Sequence, residues 1–195
     1  MRILVVGASG TLGRAVVQAL GDEHEIVAAS RRGSLSVDIA DPESIASLYE
    51  QVGEVGAVVS VAGHAAFAPL AELSDEDFAR SLQVKLMGQV NLIRLGFGSV
   101  RDGGSITVTS GTLARVPMPG SAAISLANGG LEGFARAAAL EAPRGIRVNV
   151  VSPSWVTETL MGLGMDPSPG MPAAEVAKLY VQSVIGSQTG ATLES

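Results

Sequence analysis

The chain has 195 residues, 47% of them hydrophobic and 16% charged, with a formal net charge of -6 at pH 7. That size and balance predict one folded domain over residues 1–195 with a sizeable core, and exclude a disordered chain. The acid excess argues against nucleic acid or an anionic membrane as the main partner, and the absence of cysteine removes disulfides, thiolate metal sites and a Cys nucleophile. Aromatic residues make up only 4%, so the core must be filled by Val, Leu, Ile and Ala, the palette of a parallel sheet covered by helices on both faces. His24 and His64 are the only histidines, too few for a histidine-rich metal site, and no metal is expected. No cleavable leader precedes the first strand-like run and no apolar run reaches bilayer length, so a cytoplasmic location is expected.

In chain order, short apolar runs alternate with segments of helical periodicity. Strands are expected at Ile3–Val6, Ile26–Ala29, Ala57–Val61, Ser105–Thr109 and Ile146–Val151. Helices are expected over Thr11–Leu20 and over Pro42–Val52, the latter with Asp41 as N-cap and Pro42 at the first helical position. The longest begins near Ser74, where Ser-x-x-Asp reads as a capping box, and Phe78, Leu82, Leu86, Val90, Ile93 and Phe97 draw one apolar stripe along it. Another covers roughly Ser121–Ala142, rich in Ala and Gly, and ends at Pro143 and Gly145. Residues 162–172 are dense in Gly, Pro and Met and read as a mobile loop, followed by a short helix over Ala173–Val184. This alternation predicts an α/β, Rossmann-type doubly wound parallel sheet in three layers, α/β/α.

Gly7-Ala8-Ser9-Gly10-Thr11-Leu12-Gly13 follows the first strand and opens the first helix, the context that marks a dinucleotide site. Gly7 would allow the tight turn, Gly10 the approach of backbone to pyrophosphate, and Gly13 close helix–strand packing. The free N–H groups of the first helical turn would face the phosphates. At the end of the second strand a site for NAD usually places a carboxylate on the ribose 2′-hydroxyl. Here Ala28-Ala29-Ser30 runs into Arg31-Arg32. Two guanidiniums and no acid favour NADP(H) over NAD(H), the other reading being a pair of solvated surface arginines. Asp38 and Ile39 follow where such folds hold the adenine.

These residues resemble the short-chain dehydrogenase/reductase family over nearly the whole chain. The resemblance rests on the glycine loop, Ala62-Gly63 after the fourth strand, Leu73-Ser74-Asp75-Glu76-Asp77-Phe78, Gly104-Ser105-Ile106, Arg147-Val148-Asn149-Val150-Val151-Ser152-Pro153 and Thr189-Gly190. It implies an oxidoreductase moving a hydride between a nicotinamide cofactor and a carbonyl or alcohol. It also implies a homodimer or homotetramer, paired through the helices near Ser74–Gly98 and Ser121–Ala142. Departures are equally visible. The glycine spacing is that of the extended and atypical branches, and Ser60-Val61-Ala62-Gly63 replaces the usual Asn-Asn-Ala-Gly.

The family's catalytic tetrad is not matched. Aligned on Gly88, its helix asparagine falls on Lys85; aligned on Asn128-Gly129-Gly130-Leu131-Glu132-Gly133-Phe134, its tyrosine and lysine fall on Ile124 and Asn128. The catalytic serine falls on Gly111, with Ser110 one residue away. In the family's mechanism the tyrosine protonates the developing alkoxide; Ile124 has no proton to give, and loss of a positioned general acid costs about 10²- to 10⁴-fold in rate. Neither Tyr49 nor Tyr180 replaces it. Lys85 and Asn128 stand as though exchanged between helices: Lys85 would reach the nicotinamide ribose or a substrate anion and Asn128 the ribose hydroxyls. Alternatively Lys85 snorkels to solvent and Asn128 satisfies local backbone. Ser110 and Thr112 are candidates to bond a substrate carbonyl or are ordinary turn formers, and His64 is a candidate proton donor or an incidental loop histidine. His24 reads as part of a solvated turn. Val116–Gly120 and the loop carrying Met161, Met165 and Met171 would close over the nicotinamide. Two other functions are open to the sequence: a catalytically inactive NADP(H)-binding protein, a redox sensor or regulatory partner, and a scaffold that has lost the cofactor too, against which the glycine loop and Arg31-Arg32 count.

Overall fold

The computed structural model describes residues 1–195. Its elements run β1 (Arg2–Val6), α1 (Thr11–Gly21), β2 (Glu25–Ser30), β3 (Leu35–Ser36), α2 (Pro42–Val52), β4 (Val55–Ser60), α3 (Asp75–Ser81), α4 (Gly88–Gly96), β5 (Val100–Thr109), α5 (Ala122–Glu141), β6 (Arg147–Ser152), α6 (Thr157–Gly162), α7 (Ala173–Ile185) and β7 (Thr192–Glu194). All seven strands pair in parallel in the order β3-β2-β1-β4-β5-β6-β7. This is the doubly wound Rossmann-type sheet expected from the alternation of runs.

Period-two alternation divides each central strand between two cores. On β1, Leu4 and Val6 face the cluster built with Ile45, Leu48, Leu92 and Leu131, whereas Ile3 and Val5 face the one built with Val16, Leu20, Val176 and Tyr180. Helices α2, α4 and α5 therefore cover one face, and α1 and α7 the other. Val55–Ser60 is buried at every position, as a strand between two layers must be.

Chain order reverses beside β1. The chain leaves β1 for β2 and β3 on one side, then returns to β4 on the other, so the strand ends part there and leave a crevice. Gly7 makes this possible. Its φ of 87° lies in the region that glycine favours, and a β-carbon would come within 2.8 Å of the Ala62 backbone nitrogen that follows β4. Gly13 packs as closely: a β-carbon there would collide with the Gly7 carbonyl oxygen.

Two expectations are corrected. The long helix from Ser74 is not continuous: Leu82–Met87 forms a π turn, closed by the Gly88 N–H donating to the Gln83 carbonyl. The extra residue rotates the buried face, so Lys85 and Gln89 turn inward, where a regular 3.6-residue stripe leaves them out. Strand β5 begins at Val100 rather than Ser105, with an irregularity in its pairing to β4 between Val55 and Ala57. Strands β3 and β7 and helix α6, at two, three and six residues, are too short for periodicity to reveal. The loop at 162–172 is pinned at its neck, where the Thr157 N–H donates to the Met171 carbonyl at 3.0 Å and the Met171 N–H to Trp155 at 2.8 Å. No helix is long and apolar enough to cross a membrane.

Gly96 shows how closely the layers fit: a β-carbon would stand 2.5 Å from the Tyr49 hydroxyl, which donates to the Leu92 carbonyl at 2.6 Å. Gly96→Ala is expected to destabilise the protein by about 1–3 kcal/mol through overpacking, read as a lowered urea midpoint; an unchanged midpoint would show that α2 and α4 can move apart freely.

Candidate cofactor cavity and the polar layer beneath it

A cavity of about 760 Å³ opens over the crevice at the C-terminal ends of β1, β2 and β4. Of the residues that the sequence nominated, Gly7, Ser9, Gly10, Ser30, Arg31, Arg32, Asp38, Ile39, Ala62, Gly63 and His64 line it. Thr11, Leu12 and Gly13 do not; they form the start of α1 behind the loop. The N-cap of α1 is Gly10, with no side chain bonded to the first turn, so its leading N–H groups are open to the crevice.

Arg31 and Arg32 are exposed and belong to none of the ion pairs of the molecule. Ser30 is buried beside them, and no carboxylate stands at the end of β2. Asp38 is held by its own turn, accepting the Ala40 N–H at 3.0 Å, and its backbone N–H donates to the Ser44 hydroxyl at 3.0 Å. The opposite wall was not anticipated. Glu76, Ala79, Arg80, Gln83 and Val84 line the cavity from α3 and the π turn. Their i, i+3, i+4, i+7, i+8 spacing marks one helical face, a signal masked by the attention that the apolar stripe draws. Gln83 reaches across to donate to the Ala40 carbonyl at 3.3 Å, and Gly88 seats the turn against Ile39.

Past this cavity, at the ends of β4, β5 and β6, the interior is polar. Lys85 does not snorkel to solvent: it is 8% exposed, and its Nζ donates to the carbonyls of Thr109 at 2.9 Å and Ser110 at 3.2 Å. Gln89 brackets the same strand end, donating to Thr109 O at 2.7 Å and accepting from Thr109 N at 2.8 Å. The Thr109 hydroxyl donates to Ser60 O at 2.5 Å and shares a 2.7 Å hydrogen bond with Tyr180. Ser110 turns its hydroxyl to Glu132 Oε1 at 2.7 Å; Glu132 also pairs with Arg115 at 3.3 Å, and Arg115 reaches Ser152 and Glu194. Thr112 opens a single 3₁₀ turn, with its N–H bonded to the Pro153 carbonyl at 3.0 Å. Glu132 was missed by the sequence reading, since a Glu among helix formers carries no mark of burial.

Asn128 and Gly111 fit each other. A β-carbon on Gly111 would stand 3.1 Å from Asn128 Nδ2, so the asparagine amide fills the space into which a serine at 111 would project. That amide donates weakly to Gly111 O at 3.4 Å, while its Oδ1 is buried without a partner. Ile124 sits half-buried in the first turn of α5. Tyr49 and Tyr180 lie deep in the two cores, where burial pushes both phenols far above their ordinary range. His64 is exposed at the cavity rim. His24 is corrected from a solvated turn: it is half-buried, with Nδ1 enclosed and unpartnered. Phe67 and Trp155 pack edge-to-face at 6.1 Å, and Val116, Met118, Met161 and Met165 are exposed. No cluster of three or more His, Asp or Glu side chains is placed to hold a metal ion.

Burial pulls the Lys85 ammonium down from 10.5 to about 8. Between these values the unfolded chain holds a proton that the folded one has lost, so stability rises with pH. The cost of burying this charge is present in full below pH 8 and fades toward pH 10.5. Relative to Lys85→Met, the native protein is therefore expected to gain about 2 kcal/mol of unfolding free energy between pH 7 and pH 10. Parallel pH curves from urea unfolding of the two proteins would contradict this.

Comparison with known proteins places these features. A family model described as Enoyl-(Acyl carrier protein) reductase matches residues 2–188. An uncharacterized oxidoreductase of Methylorubrum extorquens is 30% identical over 178 residues, spanning 78% of this chain and 72% of that protein. Versicolorin reductase 1 of Aspergillus parasiticus is 30% identical over 179 residues, 78% of this chain and 68% of that one. Among solved structures, the protein lin1944 from Listeria innocua superposes with a TM-score of 0.94 at 44% identity, covering 100% of this chain and 98% of that one. A small-chain dehydrogenase in complex with NADPH shares the fold, with a TM-score of 0.88 at 22% identity over 100% of this chain and 96% of its own. A family model covering nearly the whole chain, with relatives of this similarity, shows that the chain belongs to the short-chain dehydrogenase/reductase family.

Proposed function

We propose that the chain is an NADP(H)-dependent oxidoreductase acting on a carbonyl or alcohol through a non-standard active site. The observation that carries the reading is the end of β2: Ser30, Arg31 and Arg32 line the cavity, both guanidiniums are free of ion pairs, and no carboxylate stands there to repel a 2′-phosphate. The relatives support the chemistry, since versicolorin reductase is named for a reduction and a dehydrogenase of the same fold holds NADPH.

The residues present fit the cofactor. Gly7, Ser9, Gly10 and the first turn of α1 would hold the pyrophosphate. Arg31 and Arg32, with Ser30, would hold the 2′-phosphate, and Asp38 and Ile39 would flank the adenine opposite Val84. Ala62 and Gly63 would floor the path to the nicotinamide. When bound, the cofactor supplies the hydride. At the reacting end Ile124 offers no proton, and the Ser110 hydroxyl is already given to Glu132. Lys85 Nζ is a buried donor brought down to about 8, Asn128 offers a buried carbonyl oxygen to a ribose hydroxyl, and His64 stands at the rim. Phe67, Trp155 and Met118 offer an apolar mouth to the substrate. The oligomer would be a homodimer or homotetramer through α4 and α5, where exposed Leu126 and Leu140 gain cover.

A second reading is favoured by Ile124 and Gly111: a protein that binds NADP(H) without turning over a substrate. The two part on one assay, oxidation of NADPH in the presence of a panel of aldehydes, ketones and quinones at saturating cofactor. Turnover with any of them supports the enzyme; none across the panel supports the binding protein.

Calorimetry with NADPH and NADH tests the cofactor assignment. NADPH should bind the tighter, and replacing Arg31 and Arg32 together by Ala should weaken NADPH by roughly tenfold or more while leaving NADH within about twofold. Binding of neither cofactor would overturn the assignment.

A further inference from the structure

Lys85 is the one buried cation that the fold leaves without a counter-charge. The five ion pairs of the molecule use Arg2, Arg115, Arg144 and Lys178, not Lys85. The buried carboxylate nearest in the bonded network, Glu132, is committed to the Ser110 hydroxyl and to Arg115. Two carbonyl dipoles, Thr109 and Ser110, are all that the ammonium receives. Carbonyls ease the burial of a cation but carry no net charge, so the protonated group keeps a net charge of one at this place.

The side chain lies directly beneath the cavity floor. A β-carbon on Gly63, which lines the cavity, would stand 2.8 Å from Lys85 Cδ and 3.8 Å from its Nζ. The ends of the cavity are distinguishable. Arg31, Arg32 and Asp38 mark the 2′-phosphate and adenosine end, and Gly7 to Gly10 the pyrophosphate. On the NADP(H) reading, the remaining half of the dinucleotide would cross the switch point toward the ends of β4 and β5, over Gly63 and so near Lys85. The two redox forms differ there in one respect that matters electrostatically: the nicotinamide ring of NADP⁺ carries a positive charge, and that of NADPH carries none.

We propose that Lys85 is a redox-state discriminator, its buried ammonium repelling the oxidised ring so that the site holds NADPH in preference to NADP⁺. The inference rests on the NADP(H) reading above. Its attraction for the phosphates is the same in both forms and cancels in their ratio, leaving the ring charge. For unit charges several ångströms apart at the effective dielectric of a protein site, the discrimination is on the order of tenfold. With its proton released only near pH 8, the group is charged at neutrality. The arrangement suits a reductase that must shed NADP⁺ after each turnover, and equally a protein that reports on the reduced pool.

The test is isothermal calorimetry near neutral pH with NADPH and with NADP⁺, on the native protein, Lys85→Met and Lys85→Arg. The native protein should bind NADPH about tenfold tighter than NADP⁺ or more. Lys85→Met should bring the two affinities together, chiefly by tightening NADP⁺, and Lys85→Arg should keep them apart. A merely structural lysine would weaken both cofactors alike in Lys85→Met and leave their ratio untouched, which would overturn the proposal. Equal affinities in the native protein would overturn it without recourse to any variant, should Lys85→Met not fold. Failure of the native protein to bind either form would instead overturn the NADP(H) reading, and the inference with it.

Discussion

Everything in this molecule hangs on the meeting of two backbones at the switch point. Strand order reverses between β1 and β4, and the turn after β1 passes so close to Ala62 that no side chain fits at Gly7. Gly13 lets α1 settle onto that same turn. Were either approach looser, the first turn of α1 would no longer face the crevice, and the free N–H groups there would have nothing to hold. The glycine pattern is thus a packing requirement first and a binding device second. The two share residues because a helix start open to ligand is also a helix start packed against bare backbone.

Charge is placed by contrast. At the end of β2, Arg31 and Arg32 are solvated and unpaired, so holding them there costs the fold little. At the opposite end Lys85 is buried among carbonyls, and the fold bears the cost of its desolvation. The polar layer around it is otherwise well satisfied, with Gln89, Thr109, Ser110, Glu132 and Tyr180 each bonded. The buried Asn128 Oδ1 and Ser60 Oγ are the exceptions beneath the site.

Substitutions within this layer are mutually consistent. With Gly at 111, the Asn128 amide fits; with a serine there, it would be crowded at its own Nδ2. With the π turn bringing Lys85 inward, a lysine arrives from α3–α4 at the strand end, while α5 contributes the amide. Lys85 and Asn128 thus bring one cation and one amide to the sheet edge from two different helices.

The sequence by itself determined the layers, the parallel sheet and the loop after β1, because burial on two faces demands unbroken apolar strands and because glycines at this spacing between a strand and a helix mark a turn packed closely against backbone. It also placed Arg31, Arg32 and Asp38 by their distance from that loop. Tertiary structure alone decided the rest. The π turn at Leu82–Met87 leads into α4 where Gly88 and Gly96 seat that helix against Ile39 and Tyr49, and it reverses the exposure that periodicity assigns to Lys85. Whether a lysine snorkels or is buried depends on carbonyls more than twenty residues away, and no local pattern reports them. Glu132 was illegible, since a polar residue on a helix looks the same in sequence whether it faces water or a buried hydroxyl, and the helical face from Glu76 to Val84 could be read as a face but not as the wall of a cavity.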